Sequence, residues 1–332
     1  MTLYAVDAID DAIDAARAFL WPFDLGRWAR LALVMLFVGS AGGTPPFQFG
    51  GGAPSGSGSQ TPDVSGIPET LPPPGGTELA VIAAIFGIIL LLGLAFLFVG
   101  SVMEFVFVES LRREDVRIRR YWSERWRQGA RLFGFRVVLG ALTLAIIGGT
   151  LAAVLWPLLV GEGAFSIGLL FLAIPVFVVV SVISGLVGGF TTMFVVPVMI
   201  VEESGLLSAW REFWPTVTGQ WKQYVVYAVL SFVLQLVAGI LASIVTVLGA
   251  IGVGIPLGVF GLVGVGLLSV SHLAGWAIIA LAVLLFVLAA IVIGLLVAVP
   301  IQTYLRYYAL LVLGDTEAEF DLISERRAAI RE

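Results

Sequence analysis

The sequence predicts an all-α fold, a polytopic membrane bundle of about six transmembrane helices, and three observations predict it. The 332 residues are 59% hydrophobic and only 12% charged, with a mean hydropathy of +1.05, whereas a soluble globular domain carries about 25% charged residues. Apolar runs able to cross a bilayer recur at 28–43, 78–105, 134–159, 166–200, 223–249 and 274–305. Every basic residue falls in one of four segments beside these runs. Residues 1–332 therefore read as a single integral membrane domain, with no stretch polar enough to fold as a separate soluble catalytic unit.

Residues 4–21 form the first element. Val6, Ile9, Ile13, Ala16 and Leu20 recur at three- and four-residue steps opposite Asp7, Asp10, Asp14 and Arg17, which predicts an amphipathic helix lying at the membrane surface. Its acidic character sets it apart from the basic leader of a signal peptide, so the first span is expected to stay attached.

The four basic segments hold Arg17, Arg27 and Arg30; Arg112 to Arg136; Arg211 and Lys222; and Arg306, Arg326, Arg327 and Arg331. The intervening loops near 44–77, 161–165 and 250–273 hold none. Positive charge is retained on the cytoplasmic side, so both termini are expected there, in a cell membrane. The loop 44–77 is rich in Gly, Pro, Ser and Thr, a composition that cannot bury a core and predicts a disordered outer loop. The cytoplasmic segment 109–133 is rich in arginine, and residues 314–332 form a cytoplasmic tail.

The apolar run 250–271 complicates the span count. Glycine recurs in it at 252, 254, 258, 261, 264 and 266, each costing about 1 kcal/mol in an isolated helix relative to Ala. A crossing here would carry Arg326, Arg327 and Arg331 to the outside. The segment is therefore expected to be re-entrant, or a closely packed outer hairpin.

Trp21, Pro22, Gly26 and Trp28 fall on Trp214, Pro215, Gly219 and Trp221 at one offset of 193, and Trp122 and Trp126 fall on Trp210 and Trp214 at an offset of 88. Three pseudo-repeats follow, each a cytoplasmic amphipathic helix, a turn and two spans. The second spans of the latter two units run about 35 residues and carry Val196-Pro197 and Val299-Pro300 near their inner ends. At about 1.5 Å per residue they outrun a hydrocarbon core of about 30 Å, so they should kink at the prolines or project into the cytoplasm.

Residue chemistry narrows the functions. Cysteine is absent and histidine occurs once, at His272, which excludes disulfides and thiolate sites and argues against a metalloenzyme; no cofactor is expected. Glu104 is the acid deepest in an apolar run, expected to reach Arg112 or the interface, and Gln235 is placed to bond between helices. Trp21, Trp28, Trp122, Trp126, Trp214 and Trp221 suit interfacial anchoring, while Arg112, Arg113, Arg117, Arg119 and Arg120 would attract anionic headgroups. Membrane lipids and an unidentified protein partner are the expected partners; an acidic chain with net charge −5 and no recognition motif argues against nucleic acid.

The basic residues are almost all arginine, with a single Lys222, against 23 acids; this usage resembles that of haloarchaeal proteins or of a GC-rich genome. At Trp21-Pro22, Gly26-x-Trp28, Pro197, Glu202-Glu203-Ser204-Gly205, Trp210, Trp214-Pro215 and Gly219-x-Trp221 the chain resembles uncharacterised haloarchaeal multi-pass membrane proteins. It also distantly resembles the membrane domain fused to some bacterial glycerophosphodiester phosphodiesterases. The resemblance implies a six-helix membrane domain, and no counterpart of the hydrolase part is present. The function expected is non-enzymatic, a scaffold or membrane-organising domain, with a transporter or lipid-handling permease as the alternative.

Overall fold

The computed structural model describes residues 4–41, 76–159 and 163–331. In order come α1 (Tyr4–Leu20), α2 (Leu25–Ala41), α3 (Gly76–Arg112), α4 (Ile118–Leu159) and α5 (Gly163–Phe190), which runs through a π-helical turn (Thr191–Val195) into α6 (Val196–Val201). Then follow α7 (Leu206–Gly219), α8 (Trp221–Leu267), α9 (His272–Thr316) and α10 (Ser324–Arg331). Five stretches are long and apolar enough to cross a membrane: Leu79–Arg112, Ile118–Pro157, Gly168–Val201, Trp221–Leu267 and His272–Thr316. This is a helical membrane bundle. The loop expected over 44–77 lies outside the described residues, apart from Gly76 and Thr77, which open α3.

Burial is concentrated at one end of the bundle. The last turns of α3 (Val102–Leu111), the π turn with α6 (Phe194–Ile200) and the last third of α9 (Tyr307–Leu313) converge there, closed in by α1 and the start of α2. We call this end the base. Away from it the chain rises as helix pairs α2–α3, α4–α5 and α8–α9, whose flanks present apolar side chains outward, as Leu91 (67% exposed), Phe171 (73%) and Leu262 (68%) do. The long helices thus project past an apolar crossing segment, and their projecting ends supply the core.

At three places the structure adds detail to the reading of the sequence. The packed face of α1 is the alanine face Ala5, Ala8, Ala12, Ala15 and Phe19, laid on α9, whereas Val6 and Ile13 stay exposed. Small side chains let the two backbones approach closely enough for the Tyr308 hydroxyl to donate to the Ala5 carbonyl at 2.7 Å. Ile9, Ala16 and Leu20 of the apolar stripe also pack on the core, so α1 carries the alanine face beside part of that stripe.

The approach to the fourth helix does not break into a surface helix and a turn. Residues 118–159 form one helix, because 118–133 holds strong helix formers and no proline. Elsewhere, Trp21-Pro22 separates α1 from α2 and Gln220 separates α7 from α8.

Over 250–271 the chain does not fold back before residue 268. Residues 221–267 form one helix of 47 residues, and the chain reverses only at 268–271. The glycine penalty applies to an isolated helix in water. In an apolar surrounding, unpaired backbone costs more, and part of the glycine series packs on α9: Gly249, Gly254, Gly261 and Gly264 lie against it, Gly264 meeting Gly275 with no room for a side chain.

Pro197 explains the π turn. The Val196 amide reaches back five residues to the Thr191 carbonyl, and the next amide in that pattern is missing because residue 197 is proline. The Thr192 carbonyl is thereby left without a backbone donor. Pro300, by contrast, lies inside an uninterrupted α9.

Candidate functional site

The freed Thr192 carbonyl accepts from Arg306 Nη1 of α9 at 2.5 Å. Arg306 Nη2 meets Glu104 Oε1 of α3 at 2.6 Å, and both side chains are 2% exposed. A second guanidinium, Arg136 of α4, donates to Thr192 Oγ1 at 3.0 Å and to Ser101 Oγ at 3.3 Å. Ser101 and Glu104 share one face of α3, three residues apart. The neighbouring Thr191 Oγ1 accepts from the Trp210 indole at 3.2 Å. Two guanidiniums against one carboxylate leave this cluster with a net charge of +1. Glu104 Oε2 is buried in it without a hydrogen-bond partner among the described residues. The cluster ties α3, α4, the π turn and α9 together inside the base, where an ion has value only if it is paired.

A second carboxylate, Glu109, is fully buried one turn beyond Glu104 and draws Arg113 (2.5 Å), Arg125 (3.6 Å) and Arg112 (3.9 Å). Arg113 also reaches Glu124 at 3.3 Å. The loop that follows turns through Glu114, whose φ of 53° lies in the left-handed region. Its carbonyl accepts from Arg27 and its carboxylate pairs with Arg326 at 2.8 Å, contacts that offset the roughly 1–2 kcal/mol cost of that conformation.

Beside this loop lies a recess of about 600 Å³ lined by Arg30, Val116, Arg117, Ile118, Arg119, Arg120 and Ser123. All four charged lining residues are arginine. Across α2 lies an apolar recess of about 420 Å³, between Trp28 and the α8–α9 pair. Among the described residues no three His, Asp or Glu side chains gather as metal ligands would.

The last helix closes the base. Arg331 grips Asp315 through two nitrogens at 2.8 and 2.7 Å and Asp11 through Nε at 2.8 Å. Its hydrogen bonds to Asp315 foremost, and to Asp11, hold its guanidinium above the usual arginine pKa. Arg327 adds a 3.0 Å contact to Asp315.

A profile of the DUF7544 family, described as a family of unknown function, matches residues 3–323. The chain belongs to that family. No curated protein and no solved structure matches it.

Within this DUF7544 chain the residues singled out from sequence divide. Glu104 bonds Arg306 and not Arg112, because Arg112 projects past the end of the apolar run and turns to Glu109. Gln235 bonds back to Ser231 of its own helix at 3.3 Å and makes no interhelical bond among the described residues. His272 opens α9 at the far end of the bundle, 34 residues from Arg306, or about 50 Å of helix, so it is not brought near Glu104.

Trp21, Trp126, Trp214 and Trp221 stand exposed, at 71, 46, 57 and 56%. Trp28 is instead half-buried against Phe23, and Trp122 packs edge-on against Phe98. Arg117 pairs with Asp115 at 2.5 Å and Arg120 with Glu124 at 2.9 Å. Sequence reasoning missed Arg306 as the partner of Glu104 and Arg136 as the second guanidinium of the cluster. The available signal was depth: each of the three lies within three residues of the base end of its apolar run.

Proposed function

We propose that this protein is a non-enzymatic, six-span membrane domain whose base faces the cytoplasm and organises the adjoining leaflet or scaffolds a partner there. The observation that carries the reading is the asymmetry of the molecule: packing, charge and aromatic anchors gather in the base, below splayed apolar pairs. The arginine-bearing segments (α1 with the start of α2, the α3–α4 loop, α7, and the α9–α10 end) belong to the base end, which supports a cytoplasmic base and both termini with it. The sixth span would be α2, 17 residues within the described part. The order surface helix, rising helix, descending helix in α1–α3 and α7–α9 supports a repeated unit, with α4–α6 as a fused version.

The native chain has no cysteine, so single cysteines report sidedness directly. An impermeant maleimide applied to intact cells is expected to label Ser269→Cys in the α8–α9 turn and to spare Ser208→Cys on α7; the reverse pattern overturns the orientation. For the scaffold role, the purified full chain is expected to retain a specific protein or an enriched lipid fraction, and retention of neither would sink it.

The competing reading, a transporter or lipid-handling permease, draws on the π turn beside a buried ion pair, a combination often found at functional sites. It requires solute flux in proteoliposomes that Glu104→Gln abolishes.

A further inference from the structure

The recess between α2 and the start of α4 has features that the base as a whole does not share. Four guanidiniums from three pieces of chain, α2 (Arg30), the α3–α4 loop (Arg117) and α4 (Arg119 and Arg120), line one cavity of about 600 Å³. That volume falls within the usual range of about 300–1,000 Å³ for small-molecule sites. No acid lines it. Asp115 and Glu124 neutralise Arg117 and Arg120 in part from outside, and Arg30 is steadied by its bond to the Val116 carbonyl at 3.3 Å. Arg119 has no ion-pair partner among the described residues.

The depth of the recess points to the occupant. Arg30 is the last charge before the apolar run Leu31–Val38 of α2, and Val116 and Ile118 give the cavity an apolar wall. A ligand bound here would meet cations and hydrocarbon together, as a lipid headgroup does and a freely dissolved anion does not. Arginine also suits phosphate better than lysine does, because its planar fork donates two parallel hydrogen bonds.

We propose that Arg30, Arg117, Arg119 and Arg120 form a discrete site for the phosphate of an anionic glycerophospholipid headgroup. The site rests on the reading of the base as a leaflet-facing surface and gives that surface a ligand. Its test is independent of sidedness, because a detergent micelle has no inside: a wrong orientation would reverse the maleimide pattern and leave binding intact.

The experiment is titration of the full-length protein, purified in maltoside micelles, with short-chain phosphatidylglycerol, short-chain phosphatidylcholine and inorganic phosphate, read by calorimetry. Phosphatidylglycerol is expected to bind at least tenfold more tightly than phosphatidylcholine or inorganic phosphate. Arg119→Ala removes a residue with no ion pair to lose, so the fold should survive; it is expected to weaken phosphatidylglycerol about fivefold to tenfold. Arg30→Ala should do likewise, with an unchanged melting temperature as its control. Arg127→Ala, an exposed arginine on α4 outside the recess, should leave the affinity unchanged. Equal losses in the Arg119 and Arg127 variants would mean a diffuse basic surface and overturn the site. Equal binding of phosphatidylcholine would overturn the role of charge, and equal binding of inorganic phosphate would overturn the lipid as its source.

Discussion

The base and the arms of this molecule are built from the same apolar alphabet, yet different interactions hold them. In the base, Glu104, Arg306, Arg136 and Thr192 fix four chain segments through directional contacts, and aromatic rings such as Phe194, Phe213, Tyr224 and Tyr227 interlock around them. In the arms, Gly264 meets Gly275 and Gly249 meets Ile293 with little polar chemistry, and the outward faces carry Leu, Ile, Val and Phe. Lipid tails are as apolar as these side chains, so hydrophobicity alone cannot favour helix contact over lipid contact within the arms. The difference teaches where uniqueness is specified: polar bonds and aromatic packing choose one arrangement in the base, and close backbone approach does so in the arms.

The largest expected effect breaks the base. Removing one partner of a buried ion pair costs about 3–5 kcal/mol, because the other is left uncompensated. Glu104→Leu should be the more damaging substitution, since it leaves both Arg306 and Arg136 without a carboxylate. Arg306→Leu should cost less, because Glu104 keeps Arg136 close by through the shared Ser101 face. Thermal unfolding in micelles checks the order. A milder Glu104→Leu would mean that Arg306 is held chiefly by the Thr192 carbonyl.

Next come the tight glycine contacts, one in each region. A methyl group at Gly129 would lie 2.7 Å from the Cα of Val102, and one at Gly275 would lie 2.8 Å from the Gly264 carbonyl oxygen. Overpacking of this kind costs about 1–3 kcal/mol. Gly129→Ala is expected to lower the global melting temperature because Val102 is part of the fully buried base. Gly275→Ala should loosen only the α8–α9 tip, seen as faster amide exchange over 264–280 with little change in global melting. A global loss in both would show that arms and base unfold as one unit.

Much of this architecture was legible in the sequence, for reasons the two regions make plain. Long apolar runs gave the arms, because composition and length alone dictate a crossing helix. The base depends on partners far apart in sequence. Glu104 stood out as an acid in an apolar run, but its partner Arg306 lies 202 residues away, and a single arginine at the end of a span reads equally well as a topology marker. The alanine face of α1 is hard to read from sequence, because a small side chain carries little hydrophobic signal and shows its value only where a second backbone comes close. The glycines of 250–271 point both to a broken helix and to close packing, and the sequence does not separate the ones that pack, such as Gly264, from the ones that face open space, such as Gly252, Gly258 and Gly266. The arginine recess was half legible: Arg117, Arg119 and Arg120 are neighbours in sequence, whereas Arg30 joins them only through folding.

The smallest effect tests the arms on their own terms. Thr143 of α4 and Ser184 of α5 share a hydrogen bond of 2.9 Å, and the Thr143 hydroxyl also lies 2.8 Å from the carbonyl of Leu139. With that hydrogen given to Leu139, Ser184 becomes the donor across the pair, and Thr143→Val removes its acceptor. Ser184 can then turn to a carbonyl of its own helix, as serine in apolar helices does, so little is left unpaired. The expected cost is about 0.6 kcal/mol, the average for such bonds in a membrane, read as a small shift in detergent-induced unfolding. A loss above about 2 kcal/mol would mean that the arms, like the base, take their arrangement from a polar contact, and the contrast between the two regions would have to be withdrawn.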